Sequence, residues 1–133
     1  MRTLLCIFLS VGICLLSAAA SAAPKIVVLG DSLSSAYGIE QRQGWVALLQ
    51  QRLQAEGHGH EVVNASITGD TTRGGLTRLP ATLERERPAV LIIELGGNDG
   101  LRGLGLEQTR DNLQEMIAMG RSAGARLLLL GVR

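Results

Sequence analysis

Short apolar runs, each ended by a turn or a break in the apolar pattern and alternating with segments of helical spacing, constrain this chain more than any other feature. Ile26 to Leu29 is continuously apolar and ends in Gly30-Asp31-Ser32, as expected of a strand buried on both faces and stopped by a turn. Trp45, Leu48, Leu49 and Leu53 recur at helical spacing among Gln and Arg, predicting a helix over about 43–56 that Gly57 and Gly59 close. A second strand is expected over Glu61–Ile67, leading to Thr68-Gly69-Asp70. Leu76, Leu79 and Leu83 then mark a helix in which Pro80 is a local disruption. Ala89–Leu95, apolar apart from Glu94, predicts a third strand running into a glycine-rich loop, Gly96-Gly97-Asn98-Asp99-Gly100. Leu113, Met116, Ile117 and Gly120 line a helix from about Glu107 to Ser122, and Arg126–Val132 predicts a fourth strand. Such alternation implies an α/β fold, a three-layer, doubly wound parallel sheet with right-handed crossovers. With 133 residues and no internal repeat or low-complexity linker, one small domain is expected.

The segment before the first strand has a different character. Arg2 gives a positive start, Leu4 to Leu16 is uncharged and apolar, and Ala20-Ser21-Ala22 offers the small-x-small pattern of signal peptidase sites. Residues 1–22 are therefore expected to be a signal peptide cleaved after Ala22, with 23–133 as the domain and a periplasmic or secreted location. A membrane anchor is the alternative, but a span needs about 20 apolar residues, and the stretch after Leu16 is only weakly apolar. A lipoprotein cysteine at Cys14 would follow the bulky Ile13 where a small residue is expected. Cleavage removes Arg2, Cys6 and Cys14 together, leaving a formally neutral chain without cysteine. That excludes a disulfide framework, a thiolate nucleophile and a Cys-ligated zinc site in the exported protein.

Composition narrows the function classes further. With 13 basic and 12 acidic residues there is no cationic excess for a phosphate backbone, so no nucleic-acid partner is expected. Outside the leader the only aromatic rings are Tyr37 and Trp45, too few for a base-stacking platform.

In a doubly wound sheet the loops after the strand ends converge on one crevice. The first offers Ser32, expected where a strand turns into a helix, with its hydroxyl in the crevice and its own N–H at the helix N-terminus. A Ser there can act as a nucleophile when a base takes its proton and oriented N–H dipoles stabilise the oxyanion. Helix capping is the plain alternative. The second loop offers Gly69, whose missing side chain lets a backbone N–H approach a ligand. The third offers Asn98, whose amide can donate to the same oxygen. Turn chemistry accounts for each of these two singly. Together they set a serine, a backbone donor and a side-chain donor around one point.

Three blocks carry a resemblance to a known family: Gly30-Asp31-Ser32-Leu33-Ser34-Ser35-Ala36-Tyr37-Gly38, Asn64-Ala65-Ser66-Ile67-Thr68-Gly69-Asp70-Thr71-Thr72, and Gly96-Gly97-Asn98-Asp99-Gly100-Leu101-Arg102-Gly103. Their order and spacing resemble the SGNH, or GDSL, hydrolases, within them the secreted thioesterase I, lysophospholipase and arylesterase group, from about Lys25 to Arg133. The resemblance implies a flavodoxin-like SGNH hydrolase fold and a serine esterase or thioesterase. Ser32 would be the nucleophile, and the Ser32 amide, the Gly69 amide and the Asn98 side chain the oxyanion hole. Asp31 and Asp99 would organise their loops. The segment Gly100–Leu106 would border an acyl pocket, with Leu101, Leu104 and Leu106 either meeting a fatty chain or packing the loop. The substrate would be a small acyl ester or thioester, with no metal or cofactor and no stable membrane anchor.

The family also carries an Asp-x-x-His block near its C-terminus, whose His is the general base. The chain stops before it, and the apolar edge Leu127–Leu130 would stand unpaired. Both points lead us to expect an N-terminal fragment, incomplete at its C-terminus and nearly inactive alone, since oxyanion hole and binding leave only weak turnover. His58 and His60 precede the second strand and so belong at the opposite end of the sheet, badly placed to serve Ser32. A carbohydrate acetyl esterase remains as a second reading, and so does a non-catalytic flavodoxin-like module holding an anion or nucleotide at the N-terminus of the helix after Ser32.

Overall fold

The structure, a computed structural model, describes residues 22–131. Residues 1–21 of the expected 1–22 leader, the last residue of the fourth expected strand, Val132, and Arg133 lie outside the described residues. Four strands, β1 (Lys25–Gly30), β2 (Glu61–Asn64), β3 (Val90–Glu94) and β4 (Arg126–Leu129), pair in parallel in the order β2-β1-β3-β4. The helices are α1 (Trp45–Ala55), α2 (Thr72–Glu86), α3 (Gly97–Leu101) and α4 (Leu106–Ser122).

Side-chain alternation along β1 explains the layers. Val27 and Leu29 join Leu76, Leu79, Leu83, Leu91, Ile93 and Met116 beneath α2 and α4, whereas Ile26 and Val28 join Val46 and Ile92 beneath α1. Both faces of β1 are thus covered, which is why its sequence is continuously apolar rather than alternating. Each fully buried Leu contributes about 1.5–3 kcal/mol of transfer free energy. The expected three-layer, doubly wound architecture is what the chain adopts. The chain leaves β1 for β2 on one side and returns to β3 on the other, so the strand order reverses between β1 and β3. At such a switch point the loops after two adjacent strands diverge and leave a crevice.

Several local expectations are corrected. Pro80 does not disrupt α2, which runs unbroken from Thr72 to Glu86. Leu76 and Leu79 before it and Leu83 after it are all buried, and that packing outweighs an interior-proline cost of about 3 kcal/mol. Strand β2 ends at Asn64 instead of Ile67, although Ala65 N–H and Ile67 N–H still donate to the Val28 and Gly30 carbonyls. Strand β4 ends at Leu129. No regular helix begins at Ser32. Ser32–Gly38 forms consecutive turns, because Ala36 (φ 63°) and Gly38 (φ 78°) lie in the left-handed region and prevent a helix from propagating. A single 3₁₀ turn, Gln41–Gln43, then precedes α1. The glycine-rich segment after β3 is not a loop but the short helix α3, entered through Gly96 at φ 118°.

Candidate active site

Each of the three segments at the C-terminal edge of the sheet ends in a residue that a neighbour locks. Asp31 follows β1 directly and is buried. Its Oδ1 accepts the Leu33 N–H at 3.0 Å, and its Oδ2 accepts one hydrogen of the Asn98 amide at 3.1 Å. The other Asn98 hydrogen goes to the Asp70 carbonyl at 2.8 Å. One side chain from α3 therefore bonds both to the residue before Ser32 and to the residue after Gly69. Two further bonds join the same segments: Ser35 Oγ and Thr68 Oγ1 lie 2.8 Å apart, and Arg102 donates to the Gly69 carbonyl at 2.7 Å.

Gly69 sits at φ 78°, where a side chain would be strained, and its turn is closed by Asp70 N–H donating to the Ile67 carbonyl. Among the described residues, the Ser32 hydroxyl and the backbone N–H groups of Ser32 and Gly69 have no hydrogen-bond partner. The structure therefore brings Ser32, Gly69 and Asn98 to one edge of the sheet, as expected, and leaves two backbone donors and a hydroxyl uncommitted there. The Asn98 amide differs, because both its hydrogens are engaged. Donation to an oxyanion would require it to give up or share one, and the longer bond, to Asp31, is the weaker hold.

Two buried carboxyls support this edge from opposite faces. Asp99, on α3, accepts the Thr72 N–H at 2.9 Å and the Thr72 hydroxyl at 2.5 Å, with Thr109 Oγ1 at 3.4 Å; Asn112 donates to Thr72 Oγ1 at 2.9 Å. This ties α3 to the start of α2 and to α4, so Asp99 organises its loop as expected. Glu94, the last residue of β3, accepts the Ser34 hydroxyl at 2.7 Å through Oε2, and the Trp45 indole N–H donates to that same hydroxyl oxygen at 3.2 Å. Its Oε1 is buried and without a partner among the described residues. Burial pushes the Glu94 carboxyl above the usual carboxylate range; the Ser34 hydroxyl pulls the other way, and the charge of Asp31 pushes it further up.

Gly30 explains itself here. It faces Glu94 across the β1–β3 ladder, and a Cβ on it would lie 2.7 Å from Ser34 Oγ and 3.0 Å from Glu94 Oε2. The hydroxyl–carboxyl pair occupies the space that any side chain at position 30 would need. Sequence reasoning missed Ser34 and Trp45 as partners of Glu94, although a lone acid in a buried strand was the visible signal. It also missed Arg78 on α2, which bonds Asp70 Oδ2 at 2.8 Å, the Gly30 carbonyl at 3.3 Å and the Ala65 carbonyl, fastening the first two segments from below.

The remaining expected residues fall as follows. Leu101 and Leu106 are 87% and 83% exposed and Leu104 39%, so they do not pack their segment against the domain. Leu101 borders a cleft of about 660 Å³ between α3 and the end of β4, lined also by Leu95, Leu113, Leu129 and Leu130. His58 and His60 lie before β2, at the far end of the sheet, where His58 is 3.7 Å from Glu56. No helix among the described residues is long and apolar enough to cross a membrane.

Comparison with known proteins bears on the family and the fold. The profile of the GDSL-like Lipase/Acylhydrolase family matches residues 28–133. Esterase TesA of Pseudomonas aeruginosa is 56% identical over 113 residues, covering 85% of this chain and 56% of that protein. Thioesterase 1/protease 1/lysophospholipase L1 of Escherichia coli K12 is 44% identical over 119 residues, covering 90% of this chain and 56% of that protein. The crystal structure of TesA superposes with a TM-score of 0.81 at 56% identity, over 82% of this chain and 61% of that one. The chain thus spans a little over half the length of the curated relatives it matches.

Proposed function

The chain belongs to the GDSL-like Lipase/Acylhydrolase family, and from that premise we propose that it carries the nucleophile and oxyanion-binding part of a serine hydrolase of acyl esters and thioesters. The observation that carries the proposal is the Asn98 amide bonded at once to Asp31 and Asp70, which holds the Ser32 and Gly69 segments at one point.

The steps follow from the chain's own groups. Ser32 Oγ attacks the acyl carbonyl, and the charge that develops on the carbonyl oxygen is received by the Ser32 and Gly69 N–H groups and by the Asn98 amide turning from Asp31. The two backbone N–H groups are preorganised and stabilise the charge without moving at the moment of reaction. Collapse expels the alcohol or thiol and leaves an acyl-Ser32, which water hydrolyses by the same route. A base must take the serine proton and pass it to the departing alcohol or thiol, and neither His58 nor His60 can reach it from the far end of the sheet. The base belongs to the Asp-x-x-His block of the family. Leu101 and the cleft beside it would receive the acyl chain, with Leu104 and Leu106 at its rim. The leader pattern supports export.

The anion-binding alternative loses its footing, because no helix starts at Ser32 to present its N-terminus. The test is turnover of an acyl thioester, an aryl ester and an acetylated sugar by two proteins: the chain itself, and the chain extended by the Asp-x-x-His segment of a relative. The extended enzyme is expected to hydrolyse the first two and to lose that activity on Ser32→Ala. Full turnover by Ser32→Ala, or activity confined to the sugar, would overturn the proposal.

A further inference from the structure

Glu94 is the buried titratable group for which the reaction above has no use. Its carboxyl lies on the α1 face of the sheet at the switch point between β1 and β3, bonded through Oε2 to Ser34 and with Oε1 buried and unpartnered. Burying an ionised carboxylate with a vacant oxygen is costly, whereas the neutral acid carries no charge into the interior. Among the described residues the charge acting on it is that of Asp31, through its field. The other elements around it present Trp45 from α1, Asn64 from β2, which donates to the Ser34 carbonyl, and from beyond β1 the Arg78–Asp70 pair.

We propose that Glu94 is a positioning residue for the Ser32 site: as a neutral acid it accepts the Ser34 hydroxyl and, by placing no second charge near Asp31, lets that side chain keep the orientation that receives Asn98. The inference rests on the function proposed above and adds a proton-dependent support to it. Two adjacent carboxyls share one negative charge comfortably and two badly. Ionisation of Glu94 therefore repels Asp31, loosens its hold on Asn98 Nδ2 and on the Leu33 N–H, and lets the Ser32 segment drift from the oxyanion donors. Burial raises the acid's ordinary range, so the supporting form persists at pH values where an exposed Glu is ionised. Turnover is then lost as pH rises through that range.

Trp45 is the one tryptophan of the chain and bonds to Ser34 Oγ, so its fluorescence reports the state of Glu94 without any need for turnover. In the 133-residue chain its emission is expected to titrate with a midpoint above the usual carboxylate range, and Glu94→Gln, whose amide can replace the acid as donor and acceptor, should abolish the transition. In the extended enzyme Glu94→Ala is expected to lower kcat about tenfold with KM within about twofold, while Glu94→Gln restores kcat and removes the decline at high pH. An unchanged Trp45 titration in Glu94→Gln, or a Gln variant as impaired as Ala with the decline intact, would overturn the proposal. Should Glu94→Ala fail to fold, the Gln variant decides alone. Failure of the hydrolase function would appear instead as turnover that survives Ser32→Ala, with the Trp45 titration unaffected.

Discussion

Asp99 and Glu94 are both buried carboxyls within five residues of each other, on either side of Asn98 in the sequence, yet they are built in opposite ways. Asp99 has a donor on each oxygen, from the Thr72 backbone, the Thr72 hydroxyl and Thr109, and fixes α3 to α2 and α4. Glu94 has a single donor and one vacant oxygen, and faces the loop that carries Ser32. A fully bonded carboxylate is a fixed anchor, whereas a half-bonded one beside another acid favours its proton. The difference teaches that the edge holding Ser32 and Asn98 is supported by a fully bonded carboxyl on one face and a half-bonded one on the other.

The comparison is broken most directly at the anchor. Asp99→Ala strands the Thr72 N–H and hydroxyl in the interior, and we expect it to cost about 3 kcal/mol of stability in urea unfolding; a loss below about 1 kcal/mol would mean the anchor is dispensable. Gly30→Ala comes next. Its methyl collides with the Ser34–Glu94 pair, and overpacking of this kind should cost about 1–3 kcal/mol in the same assay. Trp45→Phe removes one donor from Ser34 and is expected to cost about 1 kcal/mol.

A finer distinction between the two acids lies in the pH dependence of stability. Because the folded chain binds the Glu94 proton more tightly than the unfolded chain, this group's contribution is fully present below the ordinary carboxylate range and is lost as pH rises through its raised range. Urea unfolding across that window should show stability falling with pH, and Glu94→Gln should flatten that component. The smallest effect belongs to the far end of the sheet, where His58→Gln and His60→Gln are expected to leave turnover of the extended enzyme unchanged.

The layers and the three converging segments were legible because each depends on local pattern. Ile26–Leu29 and Ala89–Leu95 are apolar whichever face they meet, and Leu76, Leu79 and Leu83 keep helical spacing on either side of Pro80. What escaped depends on pairs distant in sequence. Ser34 and Glu94 are 60 residues apart, and nothing in either local pattern states that they touch. Arg78 looks like any polar face residue of a helix until the carbonyls it collects come together beneath it. Two local misjudgements had local causes. Ala36 adopts a left-handed conformation that its residue type does not suggest, so the turn after Ser32 never becomes a helix. The glycines of Gly96–Gly100 argue against a helix that the Asp99 anchor nevertheless holds in place.

The central claim is that Ser32, Gly69 and Asn98 surround one oxygen. The direct measurement is a crystal structure of the extended enzyme after reaction with an alkyl phosphonate ester, whose phosphonyl oxygen stands in for the oxyanion. We predict a covalent bond to Ser32 Oγ, with the Ser32 N, Gly69 N and Asn98 Nδ2 each about 2.7–3.1 Å from that oxygen and the Asn98–Asp31 bond lengthened or lost. An adduct whose oxygen turns to solvent while Asn98 keeps both of its present partners would contradict the account.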